Sequence, residues 1–208
     1  MRCVGLIVVS TKVEKQSSST IVLLRHAHTE MAGRFCGEID PPLSKQGRQQ
    51  LPKVAEELAK YPVTHVFSSD LLRSRQTANS IVAKLRLTVE LLHGLRELRF
   101  GEWEGLDWAE VSERYPEYAQ RWMAQYPWLP APGGEDFGAF RDRVRGALAE
   151  VADRISGGCA VVVTHGGVIR TAMLDIQKLP ESALAGIECG YASSIELYRS
   201  DGIWNLRV

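Results

Sequence analysis

Short, mostly apolar runs recur along the chain and alternate with longer segments in which apolar residues follow a helical spacing. The short runs occur at residues 21–24, 65–67, 87–92 and 160–164. Runs of this length and composition are typical of strands buried on both faces of a parallel sheet. The longer segments predict helices at residues 44–60, 70–85, 136–155 and 166–176. The alternation indicates an α/β fold, a three-layer α/β/α sandwich with a mainly parallel sheet.

The alternation stops between residues 98 and 134, where tryptophan, tyrosine and glutamate are frequent. This composition predicts a small helical cap insertion beside the sheet. Most aromatic side chains at helical spacing belong to a core. The aromatic candidates for stacking on a ring-bearing ligand are Phe35, Trp103 and Tyr118. The glutamates expected to form a solvated face are Glu102, Glu104, Glu110 and Glu113.

Residues 21–208 are expected to form a single domain, in which residues 98–134 are the cap insertion. Residues 193–199 and 203–208 flank a Ser-Asp-Gly turn and predict a β-hairpin. Residues 1–20 precede the first core strand and are interpreted as an N-terminal extension. Two explanations stay open for this extension, an extra edge strand and an artefactual upstream start.

The composition limits the classes of binding partner that the chain is expected to have. The chain has 208 residues, 45% of them hydrophobic, and 25 basic residues balance 25 acidic ones. A net charge of zero predicts no general attraction to nucleic acid or to a membrane surface, and no segment has the length of a membrane-spanning helix. The four cysteines form no C-x-x-C pair, which favours reduced, packed thiols in a cytoplasmic protein. The oligomeric state stays open, with a homodimer as one option.

Two of the predicted strands end at histidines. His26 follows the first strand directly after Arg25, and His165 follows the strand at 160–164 directly before Gly166 and Gly167. Ligand sites in open α/β sheets lie outside the carboxyl ends of the strands, so both imidazoles are expected in one crevice. An arginine, two histidines and the start of a helix together suit a phosphate group.

Six blocks of sequence carry a resemblance to a known family. The run Arg25-His26-Ala27-His28-Thr29 resembles the R-H-G-x-[ST] motif of the histidine phosphatase (phosphoglycerate mutase-like) superfamily. The resemblance continues, in the family's order, in the blocks that begin near residues 37, 68, 95, 132 and 164. These blocks span nearly everything from residue 21 to residue 199. Each is weakly specific by itself, whereas six in order are very specific.

The resemblance implies catalytic roles for three residues. His26 would be the nucleophile that forms a phosphohistidine, and His165 would stabilise the charge that develops during transfer. Glu97 would protonate the leaving oxygen and then activate the water that releases phosphate. The alternative for Glu97 is a salt bridge with Arg96 or Arg99. The resemblance implies neither a cofactor nor a metal.

The resemblance also implies a set of groups that bind the phosphate ester. Arg25 and Arg73 would contact the phosphate oxygens with their rigid donor forks. The alternative for Arg73 is that of an ordinary solvated arginine on a helix. The remaining predicted contacts are Thr29, Gly37 and Gly166.

The sequence departs from the family pattern at two places. Ala27 replaces the motif glycine, and Met31 stands where many members carry an asparagine that contacts phosphate. The loop at residues 33–40 resembles that of α-ribazole phosphatases. The expected reaction is therefore metal-independent hydrolysis of a small phosphomonoester, with α-ribazole 5′-phosphate as the first substrate. Phosphoglycerate mutase and broad-specificity sugar phosphatase are the alternatives.

Two readings from other classes remain. His26, His28 and Glu30 at a strand end also resemble the opening of a zinc hydrolase site, with His165 as a further ligand. Arg25 argues against this, because it would place a cation beside the metal. A phospho-ligand binding protein without turnover is the second interpretation, and the retention of His26, Glu97 and His165 argues against it.

Overall fold

Six strands form one mixed sheet in the order β3-β2-β4-β1-β5-β6 in the computed structural model, which describes residues 19–155 and 157–207. The strands are β1 (Thr20–Arg25), β2 (Val63–Ser68), β3 (Val89–Leu91), β4 (Cys159–Thr164), β5 (Ser194–Ser200) and β6 (Ile203–Arg207). The first four strands are mutually parallel, and β5 and β6 run antiparallel as the predicted hairpin. The mainly parallel sheet is confirmed.

Six α-helices occur within residues 19–155 and 157–207, and four of them cover the sheet. The six helices are α1 (Lys45–Leu58), α2 (Leu72–Leu85), α3 (Trp108–Arg114), α4 (Pro116–Gln125), α5 (Phe137–Arg154) and α6 (Gly166–Gln177). Side-chain caps define three of the starts, because a capping oxygen accepts an otherwise unpaired backbone N–H of the first turn. The capping residues are Ser44 before α1, Asp107 before α3 and Asp136 before α5.

The helices lie on both faces of the sheet, because alternate side chains of each strand point to opposite sides. On one face Leu23 and Val162 belong to a buried cluster with Phe140 of α5 and Ile169 of α6. On the other face, Val22 and Val163 are among the strand residues that pack with α1 and α2 through Val54 and Ile81, among others. The predicted three-layer α/β class is therefore confirmed.

The register of the central strands determines where the site lies. β1 pairs in parallel with β4 so that Arg25 stands opposite Thr164. The two strands therefore end at the same edge of the sheet, and the next residue on each is a histidine. β2 also pairs with β4 and delivers Ser68 and Ser69 to the same edge.

The segment at residues 98–134 contains α3 and α4 and has a small buried cluster of its own. Trp103 is 0% exposed and packs with Val111, Ala119 and Ala131. Burial of this kind leaves its ring no face for a ligand, so the stacking role considered for Trp103 is wrong. Tyr118 packs against the same cluster and donates its hydroxyl to Pro130 O.

The predictions on the N-terminal extension and on the cysteines concern residues that the structure describes only in part. The extension at residues 1–20 lies outside the described residues except for Ser19 and Thr20, and Cys3 lies outside them as well. Cys36, Cys159 and Cys189 are free thiols. Within residues 19–155 and 157–207, no helix combines the length and the apolar character needed to cross a membrane.

Candidate active site

His26 and His165 lie side by side at the carboxyl edge of the sheet. Their ring centroids are 5.1 Å apart, and His26 and His165 are 5% and 0% exposed. The shared register of β1 and β4 produces this approach, since each histidine is the first residue after its strand. The structure thus brings together the two imidazoles that the strand-end pattern predicted.

The hydrogen bonding of His26 determines its tautomer. Nδ1 lies 2.8 Å from Ala27 O. A carbonyl oxygen only accepts hydrogen bonds, so Nδ1 carries the proton and Nε2 keeps its lone pair. Burial lowers the pKa of His26 to about 3, and the charges of Arg73 and Arg25 act in the same direction. The ring is therefore neutral at physiological pH, with Nε2 free to act as a nucleophile.

His165 is held by Ser69, in the connection from β2 to α2, and by Ser74, in the first turn of α2. Its Nε2 lies 2.9 Å from Ser69 Oγ and 3.3 Å from Ser74 Oγ. Burial lowers its pKa well below the ordinary value, and the charge of Arg73 adds to this effect. Nδ1 is buried and has no hydrogen-bond partner among the described residues. Because buried ring nitrogens normally have partners, this atom is available to a bound group.

Arg25 lies against Tyr191, with its guanidinium carbon 3.9 Å from the ring centroid. It donates from Nη1 to Cys189 O, whereas its Nε is buried without a partner among the described residues. Within that part of the chain none of the ion pairs includes Arg25. A partly buried cation that lacks a carboxylate partner is a natural contact for an anion.

Tyr191 was not identified from the sequence. Its ring centroid is 5.6 Å from that of His26 and 5.1 Å from that of His28. It comes from the connection between α6 and β5, which carries no periodicity or motif. Tyr191 therefore covers one side of both Arg25 and His26.

Arg73 is buried to 1% exposure, so the alternative of a solvated helix arginine is wrong. Its terminal nitrogens donate to Cys36 O at 2.8 Å, Gly37 O at 3.3 Å, Ile39 O at 3.0 Å and Asp40 Oδ1 at 3.3 Å. Its hydrogen bonds thus hold the loop at residues 36–40, and its charge acts on both histidines.

Glu104 organises the same loop from the opposite side. Its carboxylate accepts the backbone N–H groups of Gly37, Glu38, Ile39 and Phe100 at 2.9 to 3.1 Å. The prediction that Glu104 belongs to a solvated face is therefore wrong, whereas Glu110 stays partly exposed, completes the capping box of α3 and pairs with Arg34. The N–H of Gly37 is engaged with Glu104 and is not free for a substrate in this structure.

Gly37 is a glycine for a steric reason. A Cβ at this position would lie 2.1 Å from Leu98 O. The close approach of the two backbones is what allows Glu104 to reach the N–H groups of the loop.

Glu104→Ala should destabilise the protein by about 2–4 kcal/mol, because several backbone N–H groups lose a charged acceptor at once. The free energy of unfolding, measured by urea denaturation, tests this. Glu113→Ala is the matched control, since Glu113 is exposed and its loss should change stability by less than about 0.5 kcal/mol. Equal stabilities of the two variants would contradict the role assigned to Glu104.

The side chain of Glu97 contacts the first turn of α6. Its Oε2 accepts the N–H of Gly167 at 3.1 Å, and its Oε1 accepts the N–H of Leu98 at 3.0 Å. Arg96 pairs with Asp70 instead, with Nε 2.6 Å from Oδ1. Among the ion pairs of the described chain none includes Glu97, so the salt-bridge alternative is wrong.

The double glycine makes room for two neighbours. A Cβ on Gly167 would lie 2.1 Å from Glu97 Oε1, and a Cβ on Gly166 would lie 3.6 Å from the guanidinium of Arg25. The first turn of α6 therefore lies against both the Glu97 carboxylate and the Arg25 guanidinium. Helix N-termini with free N–H groups favour anions at this position.

The remaining predicted residues lie near this group in the chain, but their contacts are structural. Thr29 is buried and forms an isolated bridge with Leu43. His28 has its Nδ1 2.8 Å from Ser44 Oγ. Within residues 19–155 and 157–207, no three histidine, cysteine or acidic side chains are placed to hold a metal ion. The zinc alternative therefore lacks a ligand set in the described chain.

A cavity of about 180 Å³ opens beside Glu97 and Gly167. Phe35 and Tyr126 are among its aromatic walls, whereas Trp103 and Tyr118 are not in its lining. Phe35 is thus the member of the predicted stacking set that faces a space next to the candidate acid.

Comparison with known proteins agrees with the motifs. A model of the histidine phosphatase superfamily (branch 1) matches residues 21–208, which confirms the resemblance. The chain is 38% identical over 174 residues to a metal-independent phosphoserine phosphatase of Arabidopsis thaliana. That match covers 80% of this chain and 72% of the relative.

Two solved structures are similar along nearly their whole length. The mycobacterial glucosyl-3-phosphoglycerate phosphatase has a TM-score of 0.81 and 31% identity, and the match covers 92% of this chain and 98% of that one. The α-ribazole phosphatase of Shigella flexneri has a TM-score of 0.82 over 91% and 95% of the two chains. Its identity of 22% indicates a common fold alone.

Proposed function

We propose that this chain, which belongs to the histidine phosphatase superfamily and is a phosphoric monoester hydrolase, takes the phosphoryl group of its substrate on Nε2 of His26. The observation that carries the proposal is the hydrogen bond from Nδ1 to Ala27 O. It leaves the Nε2 lone pair on a neutral, buried ring beside His165. A neutral imidazole is a competent nucleophile, and covalent capture divides one difficult step into two.

The surrounding cations address the main electrostatic obstacle. A phosphate dianion repels nucleophiles, and positive groups fixed in advance lower that repulsion most effectively in a water-poor site. Arg25 offers a buried Nε that has no partner among the described residues. Arg73 acts through its charge rather than through direct contact, because its terminal N–H groups already donate to the loop at residues 36–40. His165 and the N–H of Gly166 complete the anion site, with the Thr29 hydroxyl as a further predicted donor.

Glu97 is assigned the proton transfers. In the first step Nε2 of His26 bonds to phosphorus, the bond from phosphorus to the ester oxygen breaks, and the carboxyl of Glu97 protonates the leaving oxygen. In the second step the Glu97 carboxylate takes a proton from water, whose oxygen attacks phosphorus. The phosphorus–nitrogen bond then breaks, and phosphate leaves the neutral imidazole as it was.

The substrate is proposed to be a small phosphorylated metabolite. α-Ribazole 5′-phosphate, predicted from the loop at residues 33–40, is the candidate with an aromatic ring, and the aromatic wall near Phe35 supports it. Two of the relatives above 30% identity are named for phosphoserine and for glucosyl-3-phosphoglycerate, whose leaving groups carry a carboxylate. We expect the residues around the 180 Å³ cavity beside Glu97 to discriminate between these classes.

Rapid mixing with a ³²P-labelled phosphomonoester in EDTA tests the proposal. We expect turnover to persist in the chelator and a denatured quench to retain label on His26. The attached phosphate should be labile in acid and stable in base, as a phosphorus–nitrogen bond is. Loss of activity on chelation would instead support the zinc hydrolase. Binding of the ester without release of phosphate would support the binding protein.

A further inference from the structure

The cavity beside Glu97 is where a leaving group must lie, because Glu97 is the proposed proton donor to that group. Its walls are mainly apolar, and two polar residues of α6, Arg170 and Thr171, contribute to them. A small apolar space with a few polar groups at fixed positions is the usual form of a specificity pocket. Neither residue has a part in the phosphoryl transfer described above.

Arg170 brings a second guanidinium close to that of Arg25. A Cβ built on Gly166 would lie 3.0 Å from Nη1 of Arg170 and 3.6 Å from the guanidinium carbon of Arg25. Arg170 donates from Nε to Ile187 O, and the ion pairs of the described chain do not include it. Two neighbouring cations without carboxylate partners repel each other, and an anion at each of them removes that repulsion.

Thr171 provides an independent indication of a ligand. It is 0% exposed, and its Oγ1 has no hydrogen-bond partner in the described part of the protein. Buried hydroxyls nearly always have a partner. Because Thr171 lines the same cavity as Arg170 and Glu97, a polar group of a bound molecule can fill that position.

The size of the cavity limits what it can hold. Its volume of about 180 Å³ lies below the roughly 300–1,000 Å³ of most ligand pockets. A small leaving group such as a three-carbon hydroxy acid suits a space of that size. A larger space of about 560 Å³ shares Arg170 and Tyr126 with it and can take a substituent attached further from the phosphate.

We infer that Arg170 and Thr171 bind a carboxylate on the alcohol part of the substrate, so that the enzyme prefers phosphate esters of small hydroxy acids. The inference rests on the proposed function, since it concerns the group that leaves when His26 takes the phosphoryl group. Arg170 supplies a planar donor fork matched to a carboxylate, and Thr171 supplies one hydroxyl donor. Arg170 is in this sense a specificity residue rather than a group that acts on phosphorus.

A matched pair of substrates isolates the carboxylate. O-phosphoserine and O-phosphoethanolamine differ in that one group, and the ratio of their kcat/KM values is the selectivity. We expect the wild type to favour O-phosphoserine. Arg170→Gln should lower the ratio roughly 10- to 100-fold, which corresponds to a lost charged hydrogen bond, mainly through KM. Arg170→Lys should restore part of it.

Arg75→Gln is the matched control, because Arg75 is an exposed arginine of α2, and its selectivity should equal that of the wild type. Thr171→Val keeps the shape of the side chain and removes a hydroxyl that has no partner within residues 19–155 and 157–207. It should fold at least as stably as the wild type and raise KM for O-phosphoserine about 3- to 10-fold. Its thermal unfolding distinguishes a binding defect from misfolding.

Two results would overturn the inference while leaving the proposed function intact. One is a wild type that hydrolyses O-phosphoethanolamine or α-ribazole 5′-phosphate as well as O-phosphoserine. The other is an Arg170→Gln variant that loses activity on both members of the pair in parallel, as a purely structural contact with Ile187 predicts. Failure of the proposed function itself looks different, since no ester of any class then yields a labelled histidine.

Discussion

His26→Ala is expected to lower kcat for every phosphomonoester roughly 10⁴- to 10⁶-fold, the size seen when a covalent nucleophile is removed. The reason is specific to this ring. Its Nδ1 is committed to Ala27 O at 2.8 Å, so Nε2 presents a lone pair without first losing a proton. His165, the imidazole beside it, is held differently, because its Nε2 is already engaged with Ser69 and Ser74.

The variant should also separate chemistry from binding. Arg25, Arg73 and His165 remain in place, so inorganic phosphate should bind to His26→Ala with affinity similar to that of the wild type. Phosphate binding by isothermal titration and turnover by phosphate release are the two measurements. His93→Ala is the control, because His93 is 71% exposed and should leave both unchanged. Turnover within tenfold of the wild type in His26→Ala would refute the phosphohistidine.

The low pKa of His26 makes the pH dependence of the site unusual. An unperturbed histidine loses activity as a nucleophile below pH 6.5. Burial lowers the pKa of His26 to about 3, so this ring stays neutral in mildly acidic solution. The free energy of unfolding then decreases as the pH falls below 6.5, because His26 binds a proton in the unfolded chain but stays neutral in the folded one.

The layers of the fold and the meeting of the two histidines were predictable from the sequence because both depend on short-range patterns. Buried strands appear in the sequence as apolar runs, and the carboxyl ends of parallel strands lie at a common edge of the sheet. The register that sets Arg25 opposite Thr164 then places His26 beside His165. Nothing beyond strand identity was needed for this part of the site.

The supporting residues were not predictable because their partners are distant in the chain and their patterns are ordinary. Glu104 accepts the N–H of Gly37 from 67 residues away, whereas its spacing from other glutamates is that of a solvated face. Tyr191 lies in a connection without periodicity. The position of Arg170 beside Arg25 depends on how α6 packs against the sheet. Contacts of this kind become visible only when the chain is folded.

Glu97→Gln is the second large effect, with an expected fall in kcat of about 10²- to 10⁴-fold for an alkyl phosphate, the usual worth of a positioned acid. Glutamine keeps the size of the side chain, and its amide oxygen can still accept the N–H of Gly167 that Glu97 accepts at 3.1 Å. The first turn of α6 should therefore stay in place. Stability measured by urea denaturation should match that of Glu113→Gln, an exposed control.

The identity of the leaving group shows whether Glu97 transfers a proton or only positions the helix. An alkoxide needs a proton as it departs, whereas nitrophenolate leaves readily without one. The loss in the phosphorylation step should thus be large for O-phosphoserine and within about tenfold for p-nitrophenyl phosphate, by the Brønsted behaviour of general acids. If both esters slow equally in single-turnover experiments, Glu97 acts through its bond to Gly167 and the acid must be sought elsewhere. If they separate, the carboxyl is the group that completes the phosphoryl transfer begun by His26.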